Sequence, residues 1–207
     1  MKPFTNHIGV ALPLLADNLN TDVIIPSREM KRVSKVGLAN GLFANIRYSD
    51  GNRKPDPEFL LNHPNYHTAS ILILGRNAGC GSSREHAVWA LADYGFRVVL
   101  AESFASIFYN NCVANGVLPI TLDRSSIEAI ADWVRIDPTS HHLSANLEKC
   151  TLETVDNSFE FVITPLARRM LLNGLAPIDL TLEDKVLIDC FIAEDMRERQ
   201  WLYSVSD

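Results

Sequence analysis

The run Ala69-Ser70-Ile71-Leu72-Ile73-Leu74, the turn Gly75-Arg76-Asn77-Ala78-Gly79-Cys80-Gly81-Ser82-Ser83-Arg84-Glu85-His86 and the start of Ala87-Val88-Trp89-Ala90-Leu91 decide how this chain is read. The first piece is apolar and predicts a buried strand. The second is dense in glycine and predicts a tight turn, and the third predicts a helix from Ala87 to Tyr94 that Gly95 closes. A strand feeding a helix through such a turn aims backbone N–H groups and the positive end of a helix dipole at whatever sits above it. The ligand expected there is a carboxylate or a phosphate.

The flanking sequence extends the same alternation. Residues 96–101 form a second continuous apolar run, which suits a parallel sheet covered on both faces, with right-handed crossover as the expected hand. A helix from Glu102 to about Ala114, a strand over 117–122 and a helix from Ser125 to Ile136, capped by Ser125 or Ser126, follow. Residues 137–157 are polar and irregular with short strands, and 159–164 is a strand. Pro165 suits the first position of a helix from Leu166 to Asn173 that Gly174 ends, and the last helix starts near Thr181, with its hydroxyl as cap, and runs to about Tyr203 with interruptions. Towards the N-terminus, residues 8–15 read as a weak strand whose Pro13 suits an edge or a strand end. Asp17 and Asp22 lie in a polar turn where Asx chemistry is the ordinary explanation. The β-branched run Val23-Ile24-Ile25 is stopped by Pro26, a cationic segment carries Arg28, Lys31, Arg32 and Lys35, residues 37–48 form a short helix, and a loop rich in proline and glycine occupies 48–57.

With 207 residues, 47% of them hydrophobic, the chain can bury a real core as one globular unit, and we expect a single domain over 1–207 with a C-terminal helical extension from about 181. A net charge of −6 with interspersed signs offers no basic stripe for nucleic acid. No apolar run reaches membrane-spanning length and residues 1–6 lack the apolar core of a signal peptide, so a soluble, cytoplasmic protein is expected. Cys80, Cys112, Cys150 and Cys190 stand singly, without the paired spacing of a zinc site, a redox dithiol or a disulfide framework; no metal site is expected within this chain.

The turn fits none of three common mechanisms. No Gly-Lys-Ser/Thr ends it as in a Walker loop, Arg84 occupies the third glycine position of a dinucleotide fingerprint, and Ser82-Ser83-Arg84 lacks the closing glycine of a nucleophile elbow. Ser82-x-x-Glu85 matches a capping box, in which Arg84 is a first-turn surface residue and His86 an ordinary polar one. Alternatively, the glycines allow close approach of a ligand, a serine acts as base, and the planar fork of Arg84 grips a carboxylate. Both readings stand at this point.

Gly79 to Ala87, with 20–26 (Asn-Thr-Asp-Val-Ile-Ile-Pro), 102–108 (Glu-Ser-Phe-Ala-Ser-Ile-Phe), 115–119 (Asn-Gly-Val-Leu-Pro) and 173–175 (Asn-Gly-Leu), closely resembles the small subunits of bacterial 3-isopropylmalate dehydratases, a family that corresponds to the swivelling fourth domain of aconitases. The resemblance spans nearly the whole chain. It implies an α/β fold, the three-layer β/β/α swivelling domain with a mostly parallel central sheet flanked by helices. It further implies a site shared with a large subunit, as a heterodimer or higher assembly, whose 4Fe-4S cluster binds the hydroxyl and a carboxylate of a small dicarboxylate substrate. No cofactor is implied for this chain. By match to the family turn, Ser82 is the base, Arg84 holds a substrate carboxylate, and Ser83 with the backbone of Gly79, Cys80 and Gly81 helps position it. Thr21, Asp22, Glu85 and His86 support the site, and Arg32 or Arg28 is a further substrate contact, with Met30 and Val33 near an apolar substituent. Asn77-Ala78 and Val88 depart from the family pattern, which leaves room for a paralogue acting on another substituted malate (citramalate, dimethylmalate or homocitrate type); a non-catalytic dicarboxylate-binding module is the alternative from another class.

Overall fold

The computed structural model describes residues 1–30, 34–49, 53–81 and 84–203; Lys31, Arg32, Val33, Ser82 and Ser83 lie outside them. Among the described residues, seven strands form one sheet: β1 (Asn6–Pro13), β2 (Ala69–Ile73), β3 (Val98–Ala101), β4 (Leu118–Thr121), β5 (Leu143–Asn146), β6 (Thr151–Glu153) and β7 (Ser158–Glu160), in the order β4-β3-β2-β1-β5-β6-β7. Strands β1 to β4 pair in parallel and β5 to β7 add an antiparallel wing onto β1. The parallel half is the part read from the sequence around the turn. Ile71, Leu72, Ile73, Val98, Val99, Leu100, Leu118 and Ile120 are all fully buried, as continuous apolar strands covered on both faces require.

Two crossover helices, α3 (Glu85–Tyr94) and α4 (Ser106–Ala114), link β2 to β3 and β3 to β4 and pack on each other. Helix α5 (Arg124–Ile136) follows β4 and packs on β1. As expected, Gly95 ends α3 at a φ of 122° with its N–H donating to Leu91 and Ala92. Helix α6 (Pro165–Asn173) begins with Pro165, is capped by the Thr164 hydroxyl and ends at Gly174 in the left-handed region.

Several expectations are corrected, each for a local reason. Strand β1 is the central strand and not an edge; Pro13 is tolerated because it is the last residue, and Leu14 and Leu15 resume donation to the Ile73 carbonyl at 2.9 and 3.2 Å. Val23 and Ile24 belong to a short helix, α1 (Thr21–Ile24), because the Asn20 side chain accepts the Asp22 N–H at 2.8 Å and so caps a turn despite β-branched propensity. Residues 37–48 contain a single turn of 3₁₀ helix at 39–41 and the short α2 (Ala44–Arg47) rather than one helix. Asp123, not Ser125 or Ser126, caps α5, accepting the Ser126 N–H at 2.9 Å. Hydrogen bonds from the Ser125 hydroxyl first, then from Ser126, hold its carboxyl well below the usual carboxylate range.

At the C-terminal end, β7 stops at Glu160. The last helix is two, α7 (Pro177–Glu183) and α8 (Lys185–Glu198), meeting at Asp184, so Thr181 lies inside α7 and caps nothing. Asp179 accepts the Ala176 N–H at 2.7 Å and closes the start of α7 instead. Val186, Leu187 and Phe191 on α8 remain largely exposed. Among the described residues, no helix is long and apolar enough to cross a membrane.

Candidate active site

The chain leaves β1, β2 and β3 at the same edge of the parallel sheet, and the three connections that follow are bonded into one frame. The N–H of Gly75 donates to the Ala16 carbonyl at 3.2 Å, and those of Ala78 and Gly79 donate to the carbonyls of Ser103 and Leu19 at 2.9 and 2.8 Å. The N–H of Arg76 donates to the Asp17 carboxylate at 2.8 Å and that of Asn77 to the Ser103 hydroxyl at 2.9 Å. In return Ala105 donates to Ala78 and Thr21 to Cys80. This explains why α4 begins at Ser106 instead of Glu102: Ser103 and Ala105 are engaged by the turn. It also confirms turn chemistry for Asp17, whose carboxyl is held below its ordinary value mainly by the Arg76 N–H, helped by the Arg124 guanidinium.

The frame corrects the sequence reading of the turn at two points. First, the N–H of Gly79 is engaged, so any donors for an anion come from Cys80 onward and from the first turn of α3. Second, the glycines are required by the protein's own packing. Gly79 has a φ of +72°, and a Cβ there would lie 2.0 Å from Cγ of the Phe108 ring; Gly81, at +92°, would meet the Asn20 side-chain oxygen at 2.4 Å. Phe108, from the start of α4, therefore sits directly beneath the turn.

Ser82, the serine of the expected capping box, lies outside the described residues, and Glu85 stands out of register for its part in one. The N-cap of α3 is Arg84, with φ −103° and ψ 107° and no side-chain cap, so Glu85 is the first helical residue and not the third. Its carboxylate turns away from the helix start and accepts from the Trp89 indole at 3.1 Å and the Asn115 amide at 2.8 Å. His86 lies against Trp89 with ring centroids 4.5 Å apart.

Arg84 is the charged residue of the described turn that lines a pocket. Its Nη1 donates to Oδ1 of Asp22, from a position 62 residues earlier in the chain, and both side chains remain partly exposed. Asp22 thereby becomes a holding partner for Arg84, while the neighbouring Thr21 is buried and Asn20 caps α1. Beside this pair lies a pocket of about 70 Å³, lined by Thr21, Gly79, Gly81, Arg84, Ser106 and Asn111 among others. Ser106 and Asn111 were not singled out from the sequence. The only signal for them was their place in and just after the 102–108 segment that supported the resemblance.

The remaining predicted residues distribute as follows. The Cys80 thiol donates to the Asn18 carbonyl at 3.1 Å. Arg28 is directed elsewhere: its guanidinium donates to Asn45 at 2.6 Å and lies 3.5 Å from the Glu29 carboxylate, and it does not line the pocket. Ser82 and Ser83 follow Gly81 directly and precede Arg84, outside the described residues, as do Arg32 and Val33. Among the described residues, no group of three or more His, Cys, Asp or Glu side chains comes together as a metal site. Cys112 is fully buried, which pushes its thiol far above the ordinary range and makes it a poor thiolate donor.

A parallel α/β sheet with a glycine turn, an arginine and a helix start at its carboxyl edge matches a defined class: residues 1–125 fit the family model described as the aconitase C-terminal domain. Over its whole length the chain resembles narrower relatives. It is 50% identical over 207 residues to the 3-isopropylmalate dehydratase small subunit of Cupriavidus necator, covering 98% of this chain and 99% of the relative. It is 44% identical over 203 residues to the protein of the same name from Brucella canis, covering 97% and 100%. The crystal structure of 3-isopropylmalate dehydratase from Methanocaldococcus jannaschii superposes with a TM-score of 0.65 at 25% identity, covering 89% of this chain and 98% of that one. The chain belongs to the 3-isopropylmalate dehydratase small-subunit family, hydro-lyases of the aconitase superfamily.

Proposed function

We propose that this chain supplies the proton-transferring and carboxylate-binding half of a 3-isopropylmalate dehydratase, working on a substrate held jointly with a large subunit in the cytoplasm, in leucine biosynthesis. The observation that carries the reading is Arg84, placed at the start of α3 and steadied by Asp22 beside a carboxylate-sized pocket. The reaction interconverts 2-isopropylmalate and 3-isopropylmalate. A proton leaves the carbon next to a carboxylate, hydroxide leaves the neighbouring carbon, and both return in the opposite sense across the double bond.

Ser82 is the base in this proposal. Its alkoxide takes the proton and, as the hydroxyl, returns it. A serine needs strong stabilisation of its anionic form to do so, which donors from Cys80 onward, the N-terminus of α3 and nearby Arg84 supply. Arg84 exchanges Asp22 for a substrate carboxylate, and Ser83 helps position the same group. A 4Fe-4S cluster in the large subunit, which the family resemblance implies, would supply Lewis-acid activation of the departing hydroxyl.

Arg84→Lys tests the clamp. Lysine keeps the charge and can still pair with Asp22 but lacks the two-pronged fork, so KM is expected to rise about 10- to 100-fold, the equivalent of losing one charge-assisted hydrogen bond. Unchanged saturation behaviour in steady-state assays of the reconstituted enzyme would remove Arg84 from the substrate.

Substrate choice is tested by a panel of malates. Neither departure from the family pattern lines the pocket: Ala78 is buried in the frame and Val88 in the core side of α3. The isopropyl-bearing substrate is therefore expected to exceed methyl- and dimethyl-substituted malates by about 10-fold or more in kcat/KM, on the scale that single methylenes command. Followed by absorbance of the unsaturated intermediate, equal or greater turnover of citramalate, dimethylmalate or a homocitrate-type substrate would shift the assignment to a paralogue.

A further inference from the structure

Helix α3 does more than end the catalytic turn. Glu85, Trp89 and Asp93 recur every fourth residue and so share one face of it. Each is bonded to a part of the chain remote in sequence. Asp93 accepts the N–H groups of Gly37 and Ala39 on one carboxylate oxygen, at 2.9 and 2.8 Å. The ammonium of Lys35 stands 5.0 Å from the centre of the Trp89 ring and donates to the Asn115 side-chain oxygen at 3.0 Å. The Trp89 indole donates to the same oxygen at 3.0 Å and to Glu85 at 3.1 Å.

The Asn115 amide joins these contacts with its full complement of partners. Its nitrogen donates to Glu85 at 2.8 Å and to the Asn111 carbonyl at 2.9 Å, which leaves its oxygen for the ammonium and the indole. Asn111 itself lines the pocket beside Arg84. One contiguous network thus runs from the helix start to the segment 34–39. The near end of the same cationic run is fixed separately, by Arg28 on Asn45 and by the ion pair of Glu29 with Arg53.

We propose that the Glu85–Trp89–Asp93 face of α3, with Asn115, is a positioning device that seats the segment 34–39 in fixed register to the catalytic turn, and so sets substrate affinity without touching substrate. The inference rests on the proposed function, because the cationic run after Pro26 matters only if substrate lies between it and Arg84. Charge-assisted bonds to a carboxylate and a cation over an indole hold geometry more firmly than ordinary loop contacts do. A small displacement of a substrate-contacting segment carries a large kinetic penalty.

Two measurements on Asp93→Ala decide it, with Asp93→Asn as the conservative control and Lys35→Gln as an independent break of the same seat. Hydrogen exchange on the full chain should show the Gly37 and Ala39 amides exchanging at least about 10-fold faster in Asp93→Ala, with α3 still protected. In the reconstituted enzyme KM should rise about 5- to 20-fold with kcat within about twofold, Asp93→Asn falling between wild type and alanine and Lys35→Gln following alanine. Unchanged exchange overturns the proposal whatever the activity, and so does faster exchange with an unchanged KM or with a loss confined to kcat. A wild-type complex inert towards every malate sinks the functional reading instead, which keeps the two failures apart.

Discussion

Ser82→Ala, assayed in the complex with a large subunit, is expected to lower kcat by about a thousandfold, within the range that a positioned general base contributes, while leaving assembly and thermal stability close to wild type. The second half of that expectation comes from α3. A serine that capped the helix would cost about 1 kcal/mol of stability when truncated. Here Arg84 occupies the N-cap and Glu85, the other half of the capping box, is bonded to Trp89 and Asn115. Removal of the Ser82 hydroxyl is therefore expected to cost turnover and little stability. Turnover within about tenfold of wild type, measured by absorbance of the unsaturated intermediate, would leave Ser82 without a catalytic role.

The same helix shows what the sequence makes legible. Continuous apolar runs separated by glycine turns yield β2, α3, β3 and β4 in nearly their observed bounds, since periodicity and termini are local properties. Pro165 and Gly174 bracket α6 for the same reason. Non-local bonds account for what was misread. Central placement of β1 depends on the antiparallel wing that β5 adds to it, and nothing within residues 6–13 announces that partner. Helix α1 forms because Asn20 caps it, and the capping asparagine is in turn pressed against Gly81. The glycines of the turn were attributed to ligand approach, yet Phe108 occupies the space next to Gly79, a contact visible only after β3 has brought α4 back to the turn. Arg84 was identified by type and motif, whereas its pairing with Asp22 required the fold.

The purified chain alone is expected to turn over no isopropylmalate above the buffer rate, and addition of a large subunit should restore activity in proportion to complex formed. Ligand pockets that enclose a small molecule run to about 300–1,000 Å³. The pocket beside Arg84 holds about 70 Å³, room for a carboxylate but not for the remainder of the substrate. Arg84 also remains engaged by Asp22, and a lone carboxylate arriving from water must displace a charged partner already in place. Exchange of one carboxylate for another is close to neutral in energy, so binding must draw its driving force from contacts elsewhere on the substrate. Those contacts, and the exclusion of water that would strengthen the field of the α3 terminus at Ser82, are expected only once a second surface closes over the turn. Strong activity of the isolated chain would mean that this edge of the sheet is a complete active site, and the division of labour argued from Arg84 and Asp22 would fail with it.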